Sequence, residues 1–199
     1  MRVDPRARGP YHDAFREIVG RIARSLAGVP PRSLPVRMYV AGGAALHFYT
    51  GARISEDIDA VFSHRLALPD DLELSYRDGD GRARLLYFDR QYNDTFGLLH
   101  ESAHDDSVAL TLAGLDPRVL DVRLLAPLDL AVSKVARLSD QDREDIASLA
   151  RAGLIEADAL RRRAEEALGG YVGDVGRIRT SIDIACRIAA GAARRPRRR

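Results

Sequence analysis

Cysteine and lysine are almost missing from this chain of 199 residues. It has one cysteine, Cys186, and one lysine, Lys134, so 30 of its 31 lysine and arginine residues are arginine. A single cysteine excludes an internal disulfide. Because arginine serves almost everywhere else, the lone lysine indicates a position that needs a compact ammonium rather than a planar guanidinium. Codon bias with one accidental lysine is an equally weighted explanation.

Long apolar runs are also missing. No run approaches the roughly 18 residues of a membrane span, and the first 15 residues lack the apolar stretch of a signal peptide. Apolar residues make up 46% of the chain and charged residues 30%, which is typical of a globular domain. Together with the single cysteine, these features lead us to expect a cytoplasmic protein without a membrane partner.

The net charge of +2 excludes a polycation, but the charge is uneven. Residues 194–199 carry five arginines, beginning with Arg194. Such a basic tail is able to contact nucleic acid through phosphates. A solvated terminus is the more common role of a sequence of this kind, and we favour it.

The order of predicted elements indicates an α+β fold, with a mixed β-sheet flanked by helices and a helical C-terminal extension. Apolar spacing predicts a helix over residues 11–26 and a helical pattern from Leu128 onward. The stretches "VRMYVAGG", "DIDAVFS", "RARLLYF", "TFGLLHES" and "VLDVRLLAP" read as strands. We therefore divide the chain into a core of residues 1–127, a helical region of 128–193 and the tail.

Two carboxylates on one predicted strand suggest a metal site. Asp57 and Asp59 are two residues apart in "SEDIDAVF", so both point to the same face of the strand, away from Ile58 and Ala60. Adjacent carboxylates repel each other unless a cation lies between them. Hard divalent ions with oxygen ligands, Mg²⁺ above all, meet that need.

Paired glycines precede this acidic pair by one short helix. Gly42 and Gly43 end the apolar run "MYVAGG", and Asp57 follows Gly43 by 14 residues. Glycines between a strand and a helix let backbone N–H groups approach a phosphate closely; alone they more often serve tight packing. With Ser55 just before the acidic pair, the combination favours a phosphate and metal site.

The layout "GG", short helix, "SEDID" resembles the nucleotidyltransferase superfamily with the DNA polymerase β-like fold. The later stretch "LLAPLDLAVSKVARLSDQDREDIASLARAGLI" is similar to bacterial proteins related to AbiE-type toxins, including the group DUF6036. In that group a lysine on a helix precedes a segment with arginine and aspartate. Lys134, Asp142, Arg143 and Asp145 match it here, and the resemblance covers roughly residues 36–156.

The resemblance implies a two-metal mechanism with an NTP as substrate, in which Asp57 and Asp59 hold Mg²⁺. It also implies a third carboxylate near the acceptor hydroxyl. Asp121 in "VLDVRL" is our first choice, because it stands between apolar residues on a predicted strand; Asp106 and Glu101 are the alternatives. Gly42, Gly43 and Ser55 are assigned to the phosphates, and Lys134 to the triphosphate or the balance of the acidic cluster.

Two further features have more than one interpretation. Asp142 and Asp145 share a helix face, and we favour a structural role in orienting Lys134 or Arg137, or in capping their helix. Arg53 either contacts phosphate or pairs with a neighbouring carboxylate.

Two functions from different classes follow. The first is a Mg²⁺-dependent nucleotidyltransferase acting on a hydroxyl of RNA, protein or a small molecule. The second is a catalytically inactive module that binds a nucleotide or a partner, such as an antitoxin in a toxin–antitoxin or phage-defence pair. The presence of both Asp57 and Asp59 favours the enzyme.

Overall fold

A computed structural model describes residues 9–94 and 97–194, which form two compact units. The first unit contains the described residues 9–92 and 107–124. The second contains residues 93–94, 97–106 and 125–194. Within these ranges, no helix combines the length and the hydropathy that crossing a bilayer requires.

In the described part of the first unit, seven short strands form two mixed sheets. They are β1 (Val36–Val40), β2 (Asp57–Ile58), β3 (Ala60–Phe62), β4 (Glu73–Arg77), β5 (Ala83–Phe88), β6 (Val108–Ala109) and β7 (Leu120–Leu124). One sheet has the order β3-β1-β7-β6 and the other the order β2-β5-β4. Because β2 and β3 are separated by Asp59 alone, that residue is where the chain passes from one sheet to the other.

Both sheets contain parallel and antiparallel pairs of strands. β1 is antiparallel to β3 and parallel to β7, whereas β5 is parallel to β2 and antiparallel to β4. The apolar side of β1 is buried at Val36, Met38 and Val40. Tyr39, on the opposite face of the strand, is buried as well, and Arg37 is exposed.

Two helices complete the first unit. Helix α1 (Pro10–Ser25) begins with a proline, which tolerates the first helical position, and packs its apolar stripe against β4 and β5. Helix α2 (Gly42–Thr50) follows β1 directly and ends at Gly51, whose φ of 64° is the left-handed conformation of a glycine C-cap. Nearly all of α2 is buried.

The second unit is helical. Its helices are α3 (Pro127–Ser133), α4 (Asp140–Arg151), α5 (Ala157–Ala167) and α6 (Val175–Ala193). A reciprocal capping box between Ser139 and Asp142 starts α4, and the Asp174 side chain caps α6. Cys186 is buried in α6, in agreement with its helical apolar setting.

The α+β architecture is confirmed, while three local predictions differ from the structure. Within residues 97–102, the described part of "TFGLLHES", there is no strand, and residues 101–106 form turns. Residues Glu73–Arg77 form β4, which the sequence analysis missed. The predicted single strand "DIDAVFS" is divided at Asp59 because its two halves pair with different neighbours. The tail beyond Arg194 lies outside the described residues.

Candidate active site

The paired glycines form the first turn of α2. Ala41 is the N-cap residue and contributes no side-chain hydrogen bond to that turn. The first N–H groups of a helix have no partner within the helix, and its N-terminus carries a partial positive charge. This end of α2 therefore has the donors and the charge that suit a phosphate.

Gly42 is in direct contact with the Asp59 carboxylate. Its φ is 56°, a left-handed conformation that favours glycine. A Cβ added here would lie 1.8 Å from Asp59 Oδ2. The missing side chain thus leaves the space that the carboxylate occupies, and it brings the helix start and Asp59 together.

Gly43 makes a second close approach. A Cβ at this position would lie 2.3 Å from Ser55 Oγ and 2.8 Å from Arg53 Nη1. The backbone of α2's first turn is therefore in contact with both a hydroxyl and a guanidinium. The structure brings four of the predicted residues, Gly42, Gly43, Ser55 and Asp59, into one contiguous group.

Asp57 and Asp59 are both half-buried at the junction of β2 and β3. Ser55 Oγ donates a hydrogen bond of 2.5 Å to Asp57 Oδ1. The Ala41 N–H donates to the Asp59 carbonyl over 2.8 Å, which ties the end of β1 to this junction. Residues i and i+2 of an extended chain share a face, so the two carboxylates point toward the same side.

A third carboxylate, Asp89, lies beside this pair and was missed in the sequence analysis. Asp57 is in register with Tyr87, and the Asp89 N–H donates to the Ile58 carbonyl over 3.1 Å. This parallel register continues by one step to place Asp89 next to Asp59. The available signal was an acidic residue directly after the apolar run "LLYF", although nothing in the sequence states which strands are neighbours.

These carboxylates affect the pKa of Tyr87. Partial burial raises the pKa of the Tyr87 phenol, and the carboxylates of Asp57, Asp89, Glu56 and Asp59 raise that pKa further. A phenolate would add negative charge to an already negative region. The strand pairing and this electrostatic coupling agree that Tyr87 stands among the carboxylates.

Asp121 lies elsewhere on the sheet. It is in register with Arg37, near the start of β1, whereas Asp59 is bonded to Ala41 beyond the end of β1. Four residues of strand separate these levels by about 13 Å. Arg123 Nη1 donates to Asp121 Oδ2 over 3.3 Å, and Arg37 Nε lies 3.9 Å from the same oxygen. The structure does not bring Asp121 to Asp57 and Asp59.

Behind the carboxylates is a buried aromatic layer. The Tyr11 ring lies 4.5 Å from the His47 ring, and His47 Nδ1 lies 2.9 Å from the Arg53 carbonyl, to which it donates. Burial raises the pKa of Tyr11, as do Tyr76 and Asp57. Burial lowers the pKa of His47, which keeps the imidazole neutral. This layer fixes the loop that carries Arg53 and Ser55.

Lys134 lies in the second unit, in a buried ionic cluster. Its Nζ is 2.7 Å from Asp145 Oδ2 and 3.7 Å from Asp142 Oδ1, and only 5% of the side chain is exposed. Gln141 Nε2 donates to the other Asp145 oxygen. The interpretation of Asp145 as a residue that orients Lys134 is confirmed.

Asp142 has a structural role as well. Burial raises the pKa of Asp142, but hydrogen bonds from Arg137 and Ser139 and the charge of Lys134 outweigh this effect and lower the pKa to about 2. Arg137 Nε and Nη2 both donate to this carboxylate over 2.7 Å. The expected roles of Asp142 as a cap and as a partner of Arg137 are confirmed.

The two alternatives for a third carboxylate also belong to the second unit. Asp106 accepts a hydrogen bond of 2.6 Å from Arg163 Nη2, and the same guanidinium holds the buried Asp129. Glu101 is exposed in a turn. Asp106 is thus part of an ion pair that joins residues 97–106 to α5.

The first-unit carboxylates match the ligand chemistry of Mg²⁺. All their donor atoms are hard oxygens, and the Gly42 contact sets one of them beside the helix N-terminus. Among residues 9–94 and 97–194, no group of three or more carboxylate, imidazole or thiolate side chains is placed so that it could hold a metal ion. Mg²⁺ is commonly held by one or two carboxylates together with substrate phosphates, so the residues present fit this ion.

Comparison with known proteins identifies a family for this chain. The model of a family described as "Nucleotidyltransferase of unknown function (DUF6036)" matches residues 19–174. This range includes the paired glycines, the three carboxylates and the lysine cluster. No curated protein and no solved structure matches the chain.

Proposed function

We propose, since the chain belongs to the DUF6036 family of nucleotidyltransferases, that it transfers a nucleoside monophosphate from an NTP to an acceptor hydroxyl and depends on Mg²⁺. One observation carries the proposal. The Asp59 carboxylate lies against the Cα of Gly42, at the start of α2. A metal ligand and a phosphate-binding helix start are therefore adjacent, as a reaction on a metal-bound triphosphate requires.

The first turn of α2 is assigned to the triphosphate. Its N–H groups and the partial charge of the helix favour anions. Arg53 and Ser55, which contact Gly43, add a guanidinium and a hydroxyl at the same place. We assign the β- and γ-phosphates to this group of four residues, Gly42, Gly43, Arg53 and Ser55.

Asp57 and Asp59 are assigned to the cation, and Asp89 beside them to the acceptor hydroxyl. Bound Mg²⁺ would neutralise the phosphate oxygens and lower the barrier to attack on the α-phosphorus. The hydrogen bond from Ser55 holds Asp57 in place, and the Gly42 contact holds Asp59. We give Asp89 the role that the sequence analysis assigned to Asp121, because the strand before Asp89 is in register with Asp57 whereas Asp121 is in register with Arg37.

The reaction balances without another reagent. The acceptor oxygen forms a bond to the α-phosphorus, the bond between that phosphorus and the bridging oxygen breaks, and pyrophosphate leaves. The proton of the acceptor hydroxyl goes to a carboxylate, and we assign this step to Asp89. Lys134 balances the charge of Asp145 in the second unit, and a catalytic role for it stays a prediction from the resemblance.

The test is transfer of label from each α-³²P-labelled NTP with Mg²⁺, using cellular RNA, protein and small molecules as acceptors. The variant Asp57→Asn/Asp59→Asn keeps the shape of the side chains but removes their charge. We expect transfer by the wild type and at least a 100-fold loss in the variant. The matched control is Asp70→Asn/Asp80→Asn, which changes two exposed aspartates of the same unit and should retain activity.

Other outcomes identify the alternative. Absence of transfer with every NTP, combined with nucleotide binding that the variant retains, supports an inactive module that binds a nucleotide or a partner. The toxin–antitoxin or phage-defence role, with an antitoxin as partner, is a proposal from the resemblance. Growth arrest by the expressed wild type but not by the double variant supports it, whereas equal growth contradicts it.

A further inference from the structure

The outer face of the β2-β5-β4 sheet carries exposed apolar side chains next to the carboxylates. Along β5, Leu86 and Phe88 are buried, while Tyr87 and Leu85 are 38% and 41% exposed. Large apolar side chains that cluster on an exposed surface often mark a binding site. These two belong to one strip, because residues two apart on a strand share a face.

The register of the strands fixes the position of this strip. Tyr87 lies between Asp57 of β2 and Glu73 of β4, and the next row on the same face pairs Leu85 with Ser75. The last row pairs Ala83 with Arg77, about 13 Å from the first. The strip therefore begins at the carboxylates and ends beside an exposed arginine.

The geometry of phosphoryl transfer defines which reactant this side receives. In an in-line displacement, the attacking and leaving oxygens lie on opposite sides of the phosphorus. The start of α2, after β1, is on one side of Asp57 and Asp59, and β5 is on the other. If pyrophosphate leaves toward Gly42 and Gly43, the acceptor hydroxyl must arrive over β5.

We propose that Tyr87 and Leu85 form the acceptor platform, on which the last two bases at the 3′ end of a single-stranded nucleic acid stack while its terminal hydroxyl reaches the carboxylates. This inference rests on the proposed function and names the acceptor class of that site. Aromatic side chains bind bases of any sequence through their π faces.

The charges along the strip agree with this occupant. The terminal nucleotide has no phosphate beyond its 3′ hydroxyl, so it brings little negative charge to the acidic end at Asp57 and Glu73. Upstream phosphates extend toward Arg77, whose Nη1 donates to the Gly81 carbonyl and whose side chain lies on the exposed face. Two rows of apolar side chains offer more length than one base needs, which favours a strand end over a free nucleotide.

The proposal is tested by binding before any turnover is measured. Fluorescence anisotropy of a labelled single-stranded 10-nucleotide RNA, and of its DNA counterpart, gives the Kd for wild type and variants. We expect Tyr87→Ala to weaken binding roughly 5- to 150-fold, as loss of one base–aromatic stack does. Tyr87→Phe keeps the ring and should remain within about twofold of the wild type. Leu85→Ser should weaken binding by a smaller factor.

Kinetics separate this role from a general structural one. In Tyr87→Ala, the KM for the oligonucleotide should rise while the KM for the NTP is unchanged. Val172→Ala, at an exposed side chain of the second unit, is the control for loss of an apolar surface group. Thermal melting of each variant shows whether the fold is retained.

Each result supports or overturns the platform. No binding of either oligonucleotide by the wild type, or equal binding by Tyr87→Ala, overturns it. Transfer to protein or to free nucleotides with no transfer to oligonucleotides also overturns it, while leaving the nucleotidyltransferase proposal intact. Failure of that proposal is seen separately, as absence of any transfer that depends on Asp57 and Asp59.

Discussion

Replacement of Gly42 by alanine tests the contact that defines the site. Two separate penalties are expected. The first is backbone strain, because φ is 56° and the left-handed region costs an alanine about 1–2 kcal/mol. The second is steric, because the new Cβ would lie 1.8 Å from Asp59 Oδ2.

The steric clash displaces the Asp59 carboxylate. Side-chain carbons essentially never approach another atom within 3.0 Å, so Asp59 Oδ2 must move from 1.8 Å to at least that distance, a shift of 1.2 Å or more. Misplacement of a reacting group by about 1 Å is able to cost about 100-fold in rate. We expect Gly42→Ala to lose about 100-fold in nucleotidyl transfer and to weaken Mg²⁺ binding.

Gly81→Ala is the matched control. Gly81 also has a positive φ, of 78°, but a Cβ there meets nothing within 4 Å. Both variants should lose about 1–2 kcal/mol of unfolding free energy from strain, measured by urea denaturation. Gly81→Ala should keep its transfer activity within about twofold.

The activity difference between the two variants is the decisive quantity. Equal activity of Gly42→Ala and Gly81→Ala would refute the assignment of Asp59 to the reacting site. A loss of activity in both that follows the loss of folded protein would show that strain alone is responsible. Calorimetric titration with Mg²⁺ and a non-hydrolysable NTP analogue reports the site without any acceptor.

Two further predictions concern the buried cluster of the second unit. Lys134→Met leaves Asp145 buried without its cation and should lower the free energy of unfolding in urea by about 3–5 kcal/mol. The double variant Lys134→Met/Asp145→Leu should recover most of this loss. Nucleotidyl transfer by the folded double variant then tests the predicted catalytic role of Lys134. The pKa of Asp142 is about 2 in the folded protein, against an ordinary value of 3.8. The ionised carboxylate therefore contributes about 2 kcal/mol to the free energy of unfolding above pH 4, and this contribution is lost as the pH falls toward 2. Asp142→Asn should flatten the acid limb of stability against pH, and an unchanged limb would contradict this.

Local patterns in the sequence were sufficient for part of the site. The spacing of Asp57 and Asp59 places them on one face through the period of the strand, whatever surrounds them. The pair Gly42–Gly43 between an apolar run and a helix predicted a phosphate site, with tight packing as the alternative, and the structure shows tight packing against Asp59 and Ser55. The phosphate role stays a prediction. Capping by Asp142 was one of the roles expected from its place on a predicted helix, and the structure shows the cap with Ser139.

The choice of a third carboxylate depended on more distant information. Asp121 stands between apolar residues and Asp89 follows an apolar run, and the local pattern favoured Asp121 as the third carboxylate. The register of β5 with β2 puts Asp89 beside the acidic pair, while the register of β7 with β1 puts Asp121 at the level of Arg37. The packing of the whole sheet decides which distant strands pair. The residues that flank an aspartate in the sequence therefore do not predict which strand lies beside it.

Sequence alone thus determined the α+β class and the positions of the acidic pair and the glycine turn along the chain, because these follow from the local order of apolar, acidic and glycine residues. Tertiary structure alone decided which strands adjoin, and so placed Asp89 next to Asp59 and exposed Tyr87 beside Asp57. It also gave the lone lysine its ionic partners, since Lys134 and Asp145 are brought together only when α3 packs against α4. Long-range contacts of this kind follow from burial of the apolar faces, a property of the whole chain.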